Sequence, residues 1–219
     1  MSDERESAEQ RGAASNLAQE LRGVIEALAV LDLDTDALCA ATERARELRR
    51  ELAGPVRERW YEGGGPMPKL ASHRRAYLDQ SPTRGRLNPV APPISIRRVD
   101  DPERGPAIEG RARLGRAYEG PPHGVHGGWV AALFDEVLGS TQGFTESAGM
   151  TGKLTVRYRH VTPLEEELRF LAWIHLKSGR RVVARATCHA GDTLTAEAEG
   201  LFLPVDFSEV EEQMRGRRR

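Results

Sequence analysis

The chain has 219 residues, enough for one domain of ordinary size with an appendage. Its formal net charge is −1 with 30% charged residues, so charge points to no nucleic-acid partner, and 39% hydrophobic residues predicts a core confined to part of the length. Cys39 and Cys188 make no C-x-x-C pattern, no run approaches the ~18 apolar residues of a membrane span, and the polar opening MSDERESAEQRG lacks an apolar signal region. These features lead to the expectation of a cytoplasmic protein without a disulfide framework.

Residues 1–14 are expected to form a disordered lead-in. From Asn16 the pattern turns helical, with Leu17, Leu21, Val24, Ile25, Leu28 and Leu31 on one stripe. A second stripe, Leu38, Ala41, Ala45, Leu48 and Leu52, starts near Thr35 and is ended by Gly54-Pro55. Together they predict an antiparallel helical hairpin over 15–54, whose Glu, Arg and Gln side chains read as ordinary exposed-face residues. Such a hairpin cannot bury both stripes alone and needs the main domain or a second copy. Residues 55–93 are dense in turn-formers, among them Gly63-Gly64-Gly65-Pro66, Ser81-Pro82 and Asn88-Pro89, and read as an irregular connector. Trp60, Tyr61, Leu70, Tyr77 and Leu78 predict that parts of it pack down.

The main domain is expected over 94–206. Two strands come first, at 94–99 and 107–117. Next is His126-Gly127-Gly128, followed by the apolar run Trp129-Val130-Ala131-Ala132-Leu133-Phe134 and the carboxylates Asp135-Glu136. This predicts a short helix buried on most sides, opening at Gly127-Gly128 and stopping at Gly139. The first N–H groups of a helix have no internal partner, and with no side chains at Gly127 and Gly128 a ligand oxygen can approach them. Asp135 lies about two turns further on, where a buried carboxylate is costly unless paired or used. Glu136 points about 100° away and is the candidate partner for an arginine. Four more strands follow, at 153–161, 168–176, 182–189 and 193–203, with turns at Ser178-Gly179-Arg180 and Gly191-Asp192 that make the sheet antiparallel. A charged tail occupies 207–219. The order describes an α+β protein, one long antiparallel sheet wrapped around one central helix, with edges that a second copy would protect.

This layout resembles the hotdog fold. His126-Gly127-Gly128, with Asp135 seven residues after the second glycine, resembles the thioesterase branch of that fold. Gly120-Pro121-Pro122, the strand from Thr151 to Tyr158 and Thr162-Pro163-Leu164 also look like that family, in particular the phenylacetate-pathway type and the related mammalian long-chain acyl-CoA thioesterases. The likeness covers roughly 94–205; the hairpin and connector lie outside it.

The resemblance implies hydrolysis of acyl-CoA to free acid and CoA, a place in fatty acid metabolism, and a homodimer or dimer of dimers. It implies no metal and no cofactor beyond the coenzyme A of the substrate; the His123-x-x-His126 spacing alone makes no zinc site. It implies that Asp135 is the general base or the nucleophile, and that Gly127 and Gly128 give the oxyanion hole. Thr151 would help orient water, and His126 would fix the loop and touch the carbonyl. Several relatives carry Asn or Gln shortly before the His-Gly-Gly; here Gly120 to His123 fill that turn, so His126 becomes the substitute donor to test. Arg157, Arg159, Arg180 and Arg181 are the candidates to meet the phosphates of coenzyme A. The alternative reading is a non-catalytic acyl-CoA-binding hotdog, a sensor or scaffold using its hairpin for partners. Asp135 favours the enzyme, because a pure binder has no need of a carboxylate there.

Overall fold

The computed structural model of the protein describes residues 2–55, 78–145 and 149–205. Among them six strands build one sheet: β1 Ile94–Asp101, β2 Gly105–Arg113, β3 Gly149–Tyr158, β4 Glu167–Ser178, β5 Arg181–Ala190 and β6 Thr193–Pro204. Their order is β1-β2-β4-β5-β6-β3, and every neighbouring pair is antiparallel. Three longer helices accompany them: α1 Ser2–Val30, α2 Thr35–Glu51 and α3 Gly127–Ser140. No described helix is long and apolar enough to cross a membrane.

The sheet wraps α3 because its inner face is built from small residues. Ala112, Ala172, Ala184, Ala186, Ala196 and Ala198 are all buried there. A Cβ added at Gly110 would lie 2.7 Å from Val137 Cγ1 of α3, so helix and sheet meet at a distance that only glycine allows at that point. The helix fills the trough with Val130, Leu133, Phe134, Val137 and Leu138. Phe134 packs edge-on against Phe170 of β4, ring centroids 5.2 Å apart. The core cluster runs from Ile108 to Phe202, so the apolar residues are concentrated in one part of the chain.

Four expectations are corrected. The stretch 1–14 is helical from Ser2, held down by an Arg11–Asp79 ion pair at 2.6 Å and by Ala18, which is 2% exposed. The two N-terminal helices do not close on each other: Val24, Ile25, Leu28 and Leu38 stay exposed, and α2 buries no residue. It is α1 that docks, through polar contacts and through the first part of its apolar stripe, where Leu17 and Leu21 are half-buried beside Ala18. β2 stops at Arg113, short of 117, because the backbone N–H groups of Arg116 and Ala117 turn to Glu26 of α1. Finally, α3 runs through Gly139 to Ser140 and tightens into a 3-10 turn, Thr141–Phe144; Gly139 keeps a negative φ and packs beneath Phe202. Trp60, Tyr61, Leu70, Tyr77, the Gly63 to Pro66 turn and the tail 207–219 lie outside the described residues. The described part of the connector, 78–93, is packed, with Ser81 and Ala91 buried.

Candidate active site

The N-terminus of α3 is set by a tight turn. Gly120 donates to Gly124 O, Gly124 donates to Pro121 O, and His123 adopts a left-handed φ of 59°. His126 then caps the helix: its Nδ1 accepts the N–H of Gly128 at 3.0 Å, the role a Ser or Asp oxygen usually plays. A ring nitrogen that accepts carries no proton, so the ring hydrogen sits on Nε2, which is left as a donor. The Gly128 N–H is thereby occupied. Among the described residues no group accepts from the N–H of Gly127, the adjoining first-turn donor. The Gly127 carbonyl is fixed by Tyr158 of β3, whose hydroxyl donates to it at 2.8 Å.

Asp135 stands about 12 Å further along the helix, eight residues at 1.5 Å each. Its Oδ1 accepts from Thr151 Oγ1 of β3 at 2.7 Å. Among the described residues its Oδ2 has no partner. Thr151 and Tyr158 are seven residues apart, and an unbroken strand would point them to opposite faces. The register of β3 against β6 shifts between Thr151 and Lys153, which absorbs Gly152 as a bulge. Both side chains therefore face α3, Tyr158 at its first residue and Thr151 about two turns further on. A Cβ on Gly152 would lie 2.7 Å from Leu203 Cδ1, so the bulge residue has little room to be anything larger.

Glu136 points into a different setting. Thr83 donates to its Oε2, Ser81 approaches the same oxygen at 3.5 Å, and Arg84 Nη1 donates to Oε1 at 3.2 Å. Arg84 is the arginine partner that the sequence left unnamed. Both of the paired carboxylates are thus accounted for: Glu136 is clamped by the connector, while Asp135 keeps one oxygen open.

The structure brings Asp135 and Thr151 together, and separately His126, Gly127 and Gly128. It does not gather the four arginines. Arg157 and Arg159 lie beside Glu197 of β6, at 3.7 and 2.6 Å. Arg180 and Arg181 sit at the β4–β5 turn, next to the row in which Val182 pairs with Phe202 and Phe202 with Thr151. Two groups escaped the sequence reading. Tyr158 was legible in principle, since it alternates with the inward-facing Leu154 and Val156. Arg22 and Glu26 of α1 gave no such signal; they look like any surface pair on an amphipathic helix.

No family model matches the chain. The fold is that of hotdog thioesterases: a crystal structure of a thioesterase superfamily protein superimposes with a TM-score of 0.71 at 28% identity, covering 87% of this chain and 94% of that one. This chain is a hotdog-fold protein similar to acyl-CoA thioesterases. It is 29% identical to bovine acyl-coenzyme A thioesterase THEM4 over 141 residues, 64% of this chain and 57% of that protein. It is 26% identical to human acyl-coenzyme A thioesterase THEM5 over 101 residues, 45% of this chain and 41% of that protein. The chain thus spans about half the length of the curated relatives it matches.

Proposed function

We propose that the protein hydrolyses the thioester of a fatty acyl-CoA in the cytoplasm. One observation carries the reading: a half-buried carboxylate, Asp135, is held by Thr151 at one oxygen and left open at the other, on the helix whose first turn offers the free N–H of Gly127. The Gly127 N–H, helped by the helix dipole and by His126 Nε2–H, stabilises the negative charge that develops on the thioester oxygen. Asp135 acts as general base through Oδ2. It takes a proton from water, the water oxygen bonds to the carbonyl carbon, and the C–S bond breaks as the tetrahedral intermediate collapses. The departing thiolate takes up the proton that Asp135 received. The reaction so drawn asks for no resident cofactor, and coenzyme A enters as part of the substrate.

Gly127 and Asp135 are too far apart on one helix to serve one carbon. The reading therefore includes a homodimer in which β3 edges pair and two copies of α3 run antiparallel. Gly127 of one subunit then faces the partner's Asp135. Exposed Met150, Tyr158 and Val161 along this edge support the pairing, since an apolar open edge is a liability in a monomer. Arg180 and Arg181 are proposed to meet the phosphates of coenzyme A, because their turn lies two strands from Thr151, about 10 Å at normal strand spacing.

Two experiments test this. Asp135→Asn should fold like the parent and lose at least about 10²-fold in turnover, the usual scale for a lost acid–base group. Turnover at the parent rate would remove Asp135 from the chemistry. Replacing Arg180 and Arg181 together by Ala should raise KM for acyl-CoA while leaving hydrolysis of a short thioester without phosphates unchanged. An equal loss on both substrates would deny them a phosphate role.

A further inference from the structure

The contacts of α1 converge on α3 from two directions. Arg22 and Glu26 are one turn apart on the same face of α1. The guanidinium of Arg22 donates to four backbone carbonyls of the connector, Ala91, Gly85 and Asn88 at 2.8–3.0 Å and Arg86 at 3.2 Å. The same connector carries Ser81, Thr83 and Arg84, which hold Glu136, and Arg84 also reaches Ser140 Oγ at 3.1 Å. Arg22 therefore secures the segment that grips the C-terminal half of α3.

Glu26 acts on the other end. Its two carboxylate oxygens accept the backbone N–H groups of Arg116 at 2.7 Å and Ala117 at 3.1 Å. The carboxylate also lies close over Gly115, where an added Cβ would come 2.5 Å from Glu26 Oε1 and push the side chain aside. The N–H pair opens the 3-10 turn Arg116–Tyr118, and Tyr118 passes the contact on. Its carbonyl accepts from His126 N–H at 2.8 Å, and its ring stacks edge-on against Trp129, centroids 5.2 Å apart. His126 and Trp129 bracket the two glycines of the first turn.

We infer that α1 is a positioning element of the active site: Glu26, through the 116–118 turn, sets where the Gly127 N–H and His126 stand, and Arg22, through the connector, fixes the far end of α3. The activity consequence rests on the thioesterase reading; the mechanical one does not. Neither residue touches substrate. Each holds a charged group against bare backbone, so no neighbouring side chain can take over when it is lost. A shift of about 1 Å at an oxyanion donor is enough to cost up to 10²-fold in rate.

The test uses the full-length protein and the variants Glu26→Ala, Glu26→Gln and Arg11→Ala, read by amide hydrogen exchange and by acyl-CoA kinetics. Glu26→Ala should speed exchange of the Gly128 and Trp129 amides about tenfold or more, and lower kcat by a similar factor with KM within about twofold. Glu26→Gln keeps one acceptor oxygen and should fall between. Arg11→Ala removes the Arg11–Asp79 ion pair between α1 and the connector and should change thermal stability without changing exchange at Gly128 and Trp129. Parent-like exchange at Gly128 and Trp129 in both Glu26 variants would overturn the inference whatever the activity. So would a rise spread evenly over the whole chain, or an equal rise at Gly128 and Trp129 in Arg11→Ala. If the parent protein hydrolyses no acyl-CoA, the thioesterase reading fails alone, and the exchange pattern still decides the role of α1.

Discussion

Glu109 is the most deeply buried carboxylate of the sheet, its side chain 4% exposed, on the face turned away from α3. Burial by itself raises its pKa. Hydrogen bonds from Arg111, Arg169 and Arg97 outweigh that and hold it at about 2, against an ordinary 4.5. A carboxylate depressed on folding stabilises the protein above its unfolded pKa and loses that contribution as pH falls through the folded one. The window here is pH 4.5 down to 2. Glu109→Gln should be less stable than the parent at pH 7, and the two stability curves should converge as pH falls through that window. A constant offset down to pH 2 would contradict this account of the network. The cysteines give a second residue-scale prediction. Burial pushes the Cys188 thiol up to about 11, while Cys39 is exposed on α2. A thiol reagent at neutral pH should label Cys39 and leave Cys188 unmodified until the protein unfolds. Equal labelling in the native state would show that Cys188 is accessible.

At the scale of elements, what carried a period was legible. The strands are alternating or β-rich runs and the central helix is a dense apolar run, so their existence and their order along the chain could be read directly. What depends on a partner far away in sequence could not. α1 starts earlier than its apolar stripe because Arg11 finds Asp79, 68 residues on. The connector looks like loop chemistry, yet it exists to hold Glu136. The bulge in β3 is the clearest case. Strict alternation sends Thr151 and Tyr158 to opposite faces; the one-residue slip at Gly152, which no local pattern marks strongly, puts both on α3. Deleting Gly152 should therefore leave a folded sheet but break either the Thr151–Asp135 or the Tyr158–Gly127 contact. On the proposed reading, turnover should drop by about 10²-fold or more, the usual scale for a lost acid–base group. Parent-level activity in a folded deletion variant would mean that one of these contacts is dispensable. The close approach at Gly110 is testable in the same way. Gly110→Val should destabilise the fold by about 1–3 kcal/mol through overpacking against Val137, measured as a lowered unfolding midpoint. An unchanged midpoint would mean that helix and sheet can move apart.

At the scale of the whole molecule, the separation of Gly127 from Asp135 is the fact that most constrains mechanism. The two groups sit about two turns apart on one continuous helix, so no local adjustment unites them. On the proposed thioesterase reading, the site becomes complete only if another copy supplies the missing half. Gly127 is also the right residue to block. Proline is favoured at the first position of a helix, the preceding His126 already has an extended ψ of 130°, and the substitution removes the free N–H of Gly127; its Cβ would come 3.2 Å from the Tyr158 hydroxyl, so the fold of the variant is verified first. The direct test mixes subunits carrying Asp135→Asn with subunits carrying Gly127→Pro, each inactive alone, under conditions where exchange to heterodimers is confirmed by mass. A shared site predicts one doubly defective and one intact site per heterodimer, and hence about half the parent activity per heterodimer. Heterodimers as inactive as either variant alone would place both groups within one chain and contradict the account.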